Sequence, residues 1–197
     1  MVVAANGPLT DHLDAPGAAQ ISRQTWGNNT TRATAQTGDN EWFTPTEILD
    51  AAREVLGRFD LDPASDDVAQ DQVRAARYFT AEDNGLEREW HGRVWLNPPY
   101  AQPLIAQFIS KLIAERNAGR TTAAIMLTNN SADTAWWHEA ASASAVVCFT
   151  RGRIQFYKPA GGPSTPLQGQ AFFYFGDHVE AFTARFQKIG SVLELIR

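Results

Sequence analysis

The chain has 197 residues, with 17 Lys and Arg against 22 Asp and Glu and a formal net charge of -5. Its one cysteine, Cys148, excludes an internal disulfide framework and a multi-cysteine metal site, and no apolar run approaches the roughly 20 residues of a membrane span. The length fits a single domain with its own core, and the start lacks the basic-then-apolar pattern of a secretory leader, so a soluble protein of a reducing compartment is expected.

Residues 1–39 are rich in Ala, Thr, Asn, Gln and Gly and hold no apolar period, which predicts a disordered arm ahead of an ordered domain over 40–197. Thr44-Pro45-Thr46-Glu47 reads as a capping box, with Thr44 as N-cap, Pro45 at the first helical position and Glu47 reaching back. Ile48, Leu49, Ala52, Val55 and Leu56 supply the apolar stripe and Gly57 the stop. A short strand is predicted over Phe59–Asp62, a helix over Asp66–Arg77 and a second strand over Arg93–Leu96. Leu104, Ile105, Phe108, Ile109, Leu112 and Ile113 mark an amphipathic helix ending near Gly119. Beyond it come a strand at Ala123–Leu127, a helix at Ala135–Ala141 and a strand at Ala145–Phe149. Strands at Ile154–Tyr157 and Ala171–Phe175 flank a Pro/Gly-rich loop from Lys158 to Gln168, forming a C-terminal hairpin; a helix over Val179–Phe186 and a strand over Val192–Ile196 close the chain. Alternating strands and helices predict an α/β fold with an open, mostly parallel sheet covered on both faces.

In such sheets ligands bind beyond the carboxyl ends of the strands. One predicted strand runs into Asp62-Pro63-Ala64-Ser65, the other into Asn97-Pro98-Pro99-Tyr100. Pro98 and Pro99 fix φ and remove two backbone donors, leaving a stiff loop of carbonyl oxygens beside the Asn97 amide. Asn97 Oδ1 and the Pro98 carbonyl together can accept both hydrogens of an exocyclic amine. Tyr100 offers a flat face to a planar base, and such stacking is worth roughly 1–3 kcal/mol. The amine of adenine delocalises its lone pair into the ring. Accepting both its hydrogens favours a pyramidal nitrogen able to attack an electrophilic methyl group, a stabilisation that acts mainly on the transition state. Asp62 alone reads equally as a turn former or as a carboxylate for a cofactor's amino or hydroxyl groups.

Taken together, several segments resemble the phage-type, Dam-like DNA adenine N6-methyltransferases. They are Glu41-Trp42-Phe43-Thr44-Pro45, Asp60-Leu61-Asp62-Pro63-Ala64-Ser65, Tyr78-Phe79-Thr80, Asp83-Asn84-Gly85-Leu86, Trp90 and Gly92-Arg93-Val94-Trp95. Asn97-Pro98-Pro99-Tyr100, Gly152-Arg153-Ile154 and Gly169–Phe175 complete the set, which covers about 41–176. The resemblance implies a Rossmann-like methyltransferase sheet, S-adenosylmethionine as methyl donor, and adenine in double-stranded DNA as acceptor. It implies Thr44 and Pro45 at the donor's methionine end, Asp62, Pro63 and Ala64 in the first cofactor motif, and Asn97, Pro98, Pro99 and Tyr100 as the catalytic motif. The acid for the ribose hydroxyls is not assigned by the resemblance; Asp83 reads either as that group or as a plain turn residue.

The chain departs from that pattern in two places. Ala64, Ser65 and Asp66 stand where a glycine-rich turn is usual, so the donor's carboxylate must be held by Thr44 or by backbone amides. Only residues 66–96 separate the two motifs, enough for about one crossover, so the sheet should be truncated on that edge. The same tetrad also occurs in enzymes acting on RNA guanine or protein glutamine, and a close variant in cytosine-N4 enzymes. A non-catalytic DNA-binding module is the alternative of another class.

Arg151, Arg153 and Lys158 border the Pro/Gly-rich loop and read either as phosphate contacts or as a solvated hairpin end. Trp136 and Trp137 read as core packing ahead of base stacking. The four histidines share no ligand spacing, so no metal is expected. A monomer in the cytoplasm of a bacterial or phage-infected cell is the expected setting. The negative total charge is unevenly spread: residues 41–100 carry -7 and residues 101–197 carry +3. A DNA contact therefore belongs to one local face beyond residue 100, with salt-sensitive affinity.

Overall fold

A computed structural model describes residues 43–157 and 168–195; the expected arm over 1–39, Lys158 and the final two residues lie outside the described residues. The described elements are α1 (Thr46–Leu56), α2 (Gln70–Val73), a 3-10 turn (Gly85–Glu87), β1 (Gly92–Leu96), α3 (Leu104–Asn117) and β2 (Thr121–Asn129). They continue with α4 (Ala135–Ala143), β3 (Val146–Thr150), β4 (Gln170–Phe175), α5 (Val179–Phe186) and β5 (Gly190–Glu194). The strands form one open sheet in the order β1-β2-β4-β3-β5.

The alternation along each strand divides the core. Leu96, Met126, Val147 and Phe173 face Ile105, Ile109, Trp136 and Trp137 from α3 and α4. Trp95, Ile125, Cys148 and Tyr174 face Leu49, Ala52, Phe182 and Phe186 from α1 and α5. Phe182 and Phe186 stack at 4.1 Å between centroids, and Phe59 stacks on Trp95 at 5.6 Å. Trp136 and Trp137 are buried in the core, as expected of them. Burial pushes the Cys148 thiol up to about 12, which keeps it protonated and inert.

The mostly parallel sheet needs correcting. Among the strands of the described residues β1–β2 is the one parallel pair; β2–β4, β4–β3 and β3–β5 are antiparallel. A continuous apolar run such as Ala171–Phe175 signals burial on both faces but carries no information on direction. From the pairings, β1, β2 and β3 run one way and β4 and β5 the other. The carboxyl ends of the first three therefore share one rim, with Asn97, Asn130 and Arg151 immediately beyond them.

Local expectations shift too. Phe59–Asp62 is not a full strand: Leu61 bridges Val94 and Asp62 bridges Tyr78, both in parallel sense, so the sheet thins beyond β1. The helix expected over Asp66–Arg77 shrinks to one turn, Gln70–Val73, because its charged, apolar-poor sequence has little to bury. The hairpin is formed by β3 and β4. Within Ile154–Tyr157 only Tyr157 pairs, and it pairs with Phe43. The last strand begins at Gly190 and is described to Glu194.

The opposite end of the sheet is fastened by Glu115, which is 1% exposed. Its carboxylate pairs with Lys111 Nζ at 2.6 Å and with Arg120, and accepts the Trp90 backbone N–H at 3.4 Å. Trp90 is further held by its indole N–H on the Gly85 carbonyl (2.8 Å) and by the Thr121 hydroxyl on its own carbonyl (2.9 Å).

Candidate active site

Two turns meet at the rim. Asn97 follows β1 directly, and Asp62 lies on the neighbouring segment that runs parallel to β1, with Leu61 opposite Val94. Adjacent parallel segments thus deliver Asp62-Pro63 and Asn97-Pro98 to the same end of the sheet.

Around Asn97 the Tyr100 hydroxyl donates to Oδ1 at 2.7 Å, and Nδ2 faces Thr44 Oγ1 at 3.4 Å. Pro98 is buried and Pro99 exposed; Asn97 and Tyr100 are half-buried, with Tyr100 packed against the α3/α4 side of the core. Burial pushes the Tyr100 phenol well above its ordinary value, so it stays protonated and remains a donor.

Thr44 is not the N-cap of α1. Pro45 takes that position with φ -54° and ψ 142°, and its carbonyl accepts from the N–H groups of Ile48 and Leu49. The backbone runs extended through Pro45, which leaves the Thr44 hydroxyl for Asn97. Glu47 in the first turn is exposed, and the cap makes no side-chain hydrogen bond. Phe43 and Tyr157 exchange two backbone hydrogen bonds, at 2.9 and 3.1 Å, which clip this segment to the chain leading out of β3.

Asp62 is 3% exposed. Burial pushes its carboxyl from 3.8 up to about 7, further raised by Asp66 and moderated by hydrogen bonds from the Ala64 amide, Ser65 and Gln70. Oδ1 accepts the Ala64 N–H at 3.2 Å and Oδ2 accepts Gln70 Nε2 at 3.1 Å. Gln70 Nε2 also reaches Ser65 Oγ at 2.7 Å, and its Oε1 accepts from Ala75 N at 3.0 Å. The turn is laced to Phe79, whose N–H donates to the Asp62 carbonyl and whose carbonyl accepts from Ser65 N. Gly85 packs so closely beneath it that a Cβ there would stand 2.0 Å from the Pro63 carbonyl oxygen.

The structure thus joins Thr44, Asn97 and Tyr100 in one hydrogen-bonded set, and Asp62 and Ala64 in another. Asp83 is joined to neither by a hydrogen bond described here: it is exposed, and its Oδ2 accepts from Thr80 N and Oγ1 at 3.0 and 2.9 Å. Those bonds hold its carboxyl below the usual value. Arg151 and Arg153 are exposed beyond β3. Arg153 lines a hollow of about 350 Å³ with Pro45, Glu47, Ile48 and Tyr157. A separate hollow of about 430 Å³, lined by Glu54, Arg93, Thr122, Asp177 and His178, opens near the amino end of β2, away from the tetrad. Polar groups and strand ends, not hollow size, mark the site.

Sequence reading missed Gln70, whose role depends on a turn that brings it back to Asp62. Gly85 was visible only within the quoted Asp83-Asn84-Gly85-Leu86 segment. Among the described residues no group of three His, Cys, Asp or Glu could hold a metal ion, and no helix is long and apolar enough to cross a membrane.

The profile of the DNA N-6-adenine-methyltransferase (Dam) family matches residues 30–170. The DNA N-6-adenine-methyltransferase of Escherichia phage T1 is 28% identical over 196 residues, 98% of this chain and 76% of the phage protein. A second relative, YfdM of Escherichia coli (strain K12), provisionally named a methyltransferase, is 36% identical over 72 residues, 33% of this chain and 75% of its own. With its tetrad and Asp62 turn on one rim and the profile spanning most of its length, the chain belongs to the DNA N-6-adenine-methyltransferase (Dam) family.

Proposed function

We propose that this family member methylates adenine N6 in double-stranded DNA, using S-adenosylmethionine as donor and an adenine flipped out of the helix as acceptor. One observation carries the reading: the Tyr100–Asn97–Thr44 set stands at the end of β1, one segment away from the buried Asp62 turn. When bound, S-adenosylmethionine supplies a methyl group activated by its sulfonium charge. The Asp62 turn fits such a donor, because the hydrogen bonds described for its buried carboxyl come from neutral amides and a hydroxyl. A cation beside it would favour the ionised form. Pro45, Pro63 and Ala64 complete that side of the site.

On the acceptor side, Asn97 Oδ1 and the Pro98 carbonyl accept the amine hydrogens and draw the nitrogen toward a pyramidal geometry, while Tyr100 flanks the base. A protonated Tyr100 is no base, so the proton leaving the methylated nitrogen goes to water. Flipping costs a few kcal/mol, recovered by stacking and edge contacts. Arg151, Arg153 and Lys158 serve as phosphate contacts. The setting is the cytoplasm of a bacterial or phage-infected cell. Incubating the folded protein with methyl-labelled donor and mixed-sequence duplex DNA should place label in N6-methyladenine. Label confined to cytosine, RNA or protein, or none at all, refutes the reading.

A further inference from the structure

We infer that Thr44 is a positioning residue for methyl transfer, acting through Asn97, where the family resemblance had implied a contact with the donor. The inference rests on the reading above, in which Asn97 Oδ1 receives the acceptor amine. Thr44 is 4% exposed, and its hydroxyl lies 3.4 Å from Asn97 Nδ2. On the other side, the Tyr100 hydroxyl holds Oδ1 at 2.7 Å. An amide can rotate about its final side-chain torsion, and that torsion is broad in the absence of partners. Two hydroxyls on opposite ends of the amide fix its plane. With Tyr100 donating to one Oδ1 lone pair, the second stays available for an incoming N–H.

The placement of Thr44 is itself over-determined. On one side Phe43 is tied to Tyr157 by two backbone hydrogen bonds. On the other, Pro45 has a ring-fixed φ and its carbonyl starts α1. The hydroxyl therefore sits on a short, doubly anchored stretch. A capping role would have consumed it; moving the cap to Pro45 is what releases it.

The test compares Thr44→Val with Thr44→Ser in the full chain. Thr44→Val keeps the volume and removes the hydroxyl, and should lower kcat about ten- to a hundred-fold, the scale of a misplaced reacting group. Donor Kd and DNA KM should change less than about two-fold, since no binding contact is removed. Thr44→Ser should restore most of the rate. Wild-type kcat in Thr44→Val, equal loss in both variants, or a loss appearing wholly in donor Kd would each overturn the inference.

A measurement on the unaltered protein guards against misfolding of the valine variant. With 15N-labelled asparagine, the Asn97 side-chain amide should show an order parameter near that of rigid backbone, about 0.85, and a value below about 0.6 overturns the clamp. Asn97→Ala separates the two claims. An inactive Asn97→Ala beside an active Thr44→Val defeats only the role of Thr44, whereas an active Asn97→Ala defeats the reading of the tetrad and the inference with it.

Discussion

Replacing Glu115 by Gln removes one negative charge while keeping the shape and an oxygen for the Trp90 N–H. The carboxylate is 1% exposed, whereas Lys111 and Arg120 keep 23% and 34% of their side-chain surfaces in water. Burial works against the charge, yet the bonds from Arg120, Lys111 and the Trp90 amide outweigh it and hold the carboxyl at about 2 against an ordinary 4.5. A folded value below the unfolded one stabilises the fold above the unfolded value, and that gain is lost as pH falls through the folded one. The difference corresponds to about 3 kcal/mol at pH 7, and roughly 1.4 kcal/mol of it has gone by pH 3.5. Both cations can rehydrate, so the loss should fall below the 3–5 kcal/mol typical of breaking a fully buried pair. Urea unfolding of the wild-type protein and Glu115→Gln at several pH values measures this directly. The expected gap is about 2–3 kcal/mol at pH 7, narrowing steadily below pH 4.5. A gap under about 0.5 kcal/mol at pH 7, or one that stays constant with pH, refutes the reasoning. Since Glu115 serves the amino ends of β1 and β2, donor affinity of the folded variant should match wild type.

Asn97→Ala should lower turnover by about a hundred-fold or more, the scale of losing one positioned hydrogen-bonding group, while calorimetric donor affinity stays close to wild type. Asp62 behaves oppositely to Glu115: its folded value of about 7 lies above the ordinary 3.8, so its contribution is full below about pH 4 and is lost as pH rises to 7. Relative to Asp62→Asn, the wild-type protein should lose up to about 4 kcal/mol across that window by denaturation, and affinity for a cationic donor should rise through pH 7; pH-independent affinity between 6 and 8 would contradict the placement. Gly85→Ala drives a methyl group against the Pro63 carbonyl, and should cost about 1–3 kcal/mol in unfolding experiments while weakening donor binding more than it slows turnover of the bound complex. Tyr100→Phe should retain base stacking but lower kcat less than Asn97→Ala does, as single-turnover rates would report.

Where sequence reading reached the site, it did so through residues whose chemistry is local. Two prolines after an apolar strand force a stiff, donor-poor turn whatever surrounds them, so Asn97–Tyr100 was recognisable in isolation. Thr44 shows the converse. Thr-Pro-Thr-Glu satisfies the local rule for a capping box, but the partner that claims the hydroxyl lies 53 residues away in sequence. Gln70 carries no pattern at all; only the turn from Pro63 to Ala69 brings its amide back to Asp62. The direction of β4 was hidden for a similar reason, since strand sense is set by which end a connection returns to, and composition does not record it.

That return has a consequence for how members of such a family can diverge. β3 ends at Thr150 and β4 begins at Gln170 as its antiparallel neighbour, so the intervening chain leaves and re-enters the sheet at the rim that carries Asn97. Thr150 Oγ1 donates to the Gln170 carbonyl and Gln170 Oε1 accepts from Ile154 N, closing the base of that excursion independently of what it contains. Each doubling of a loop's length costs only about 0.6 kcal/mol. Ile154 and Phe156 in this connection belong to the core, so new residues are tolerated beyond them, where a longer connection adds little cost and leaves the frame that carries Asn97 unchanged.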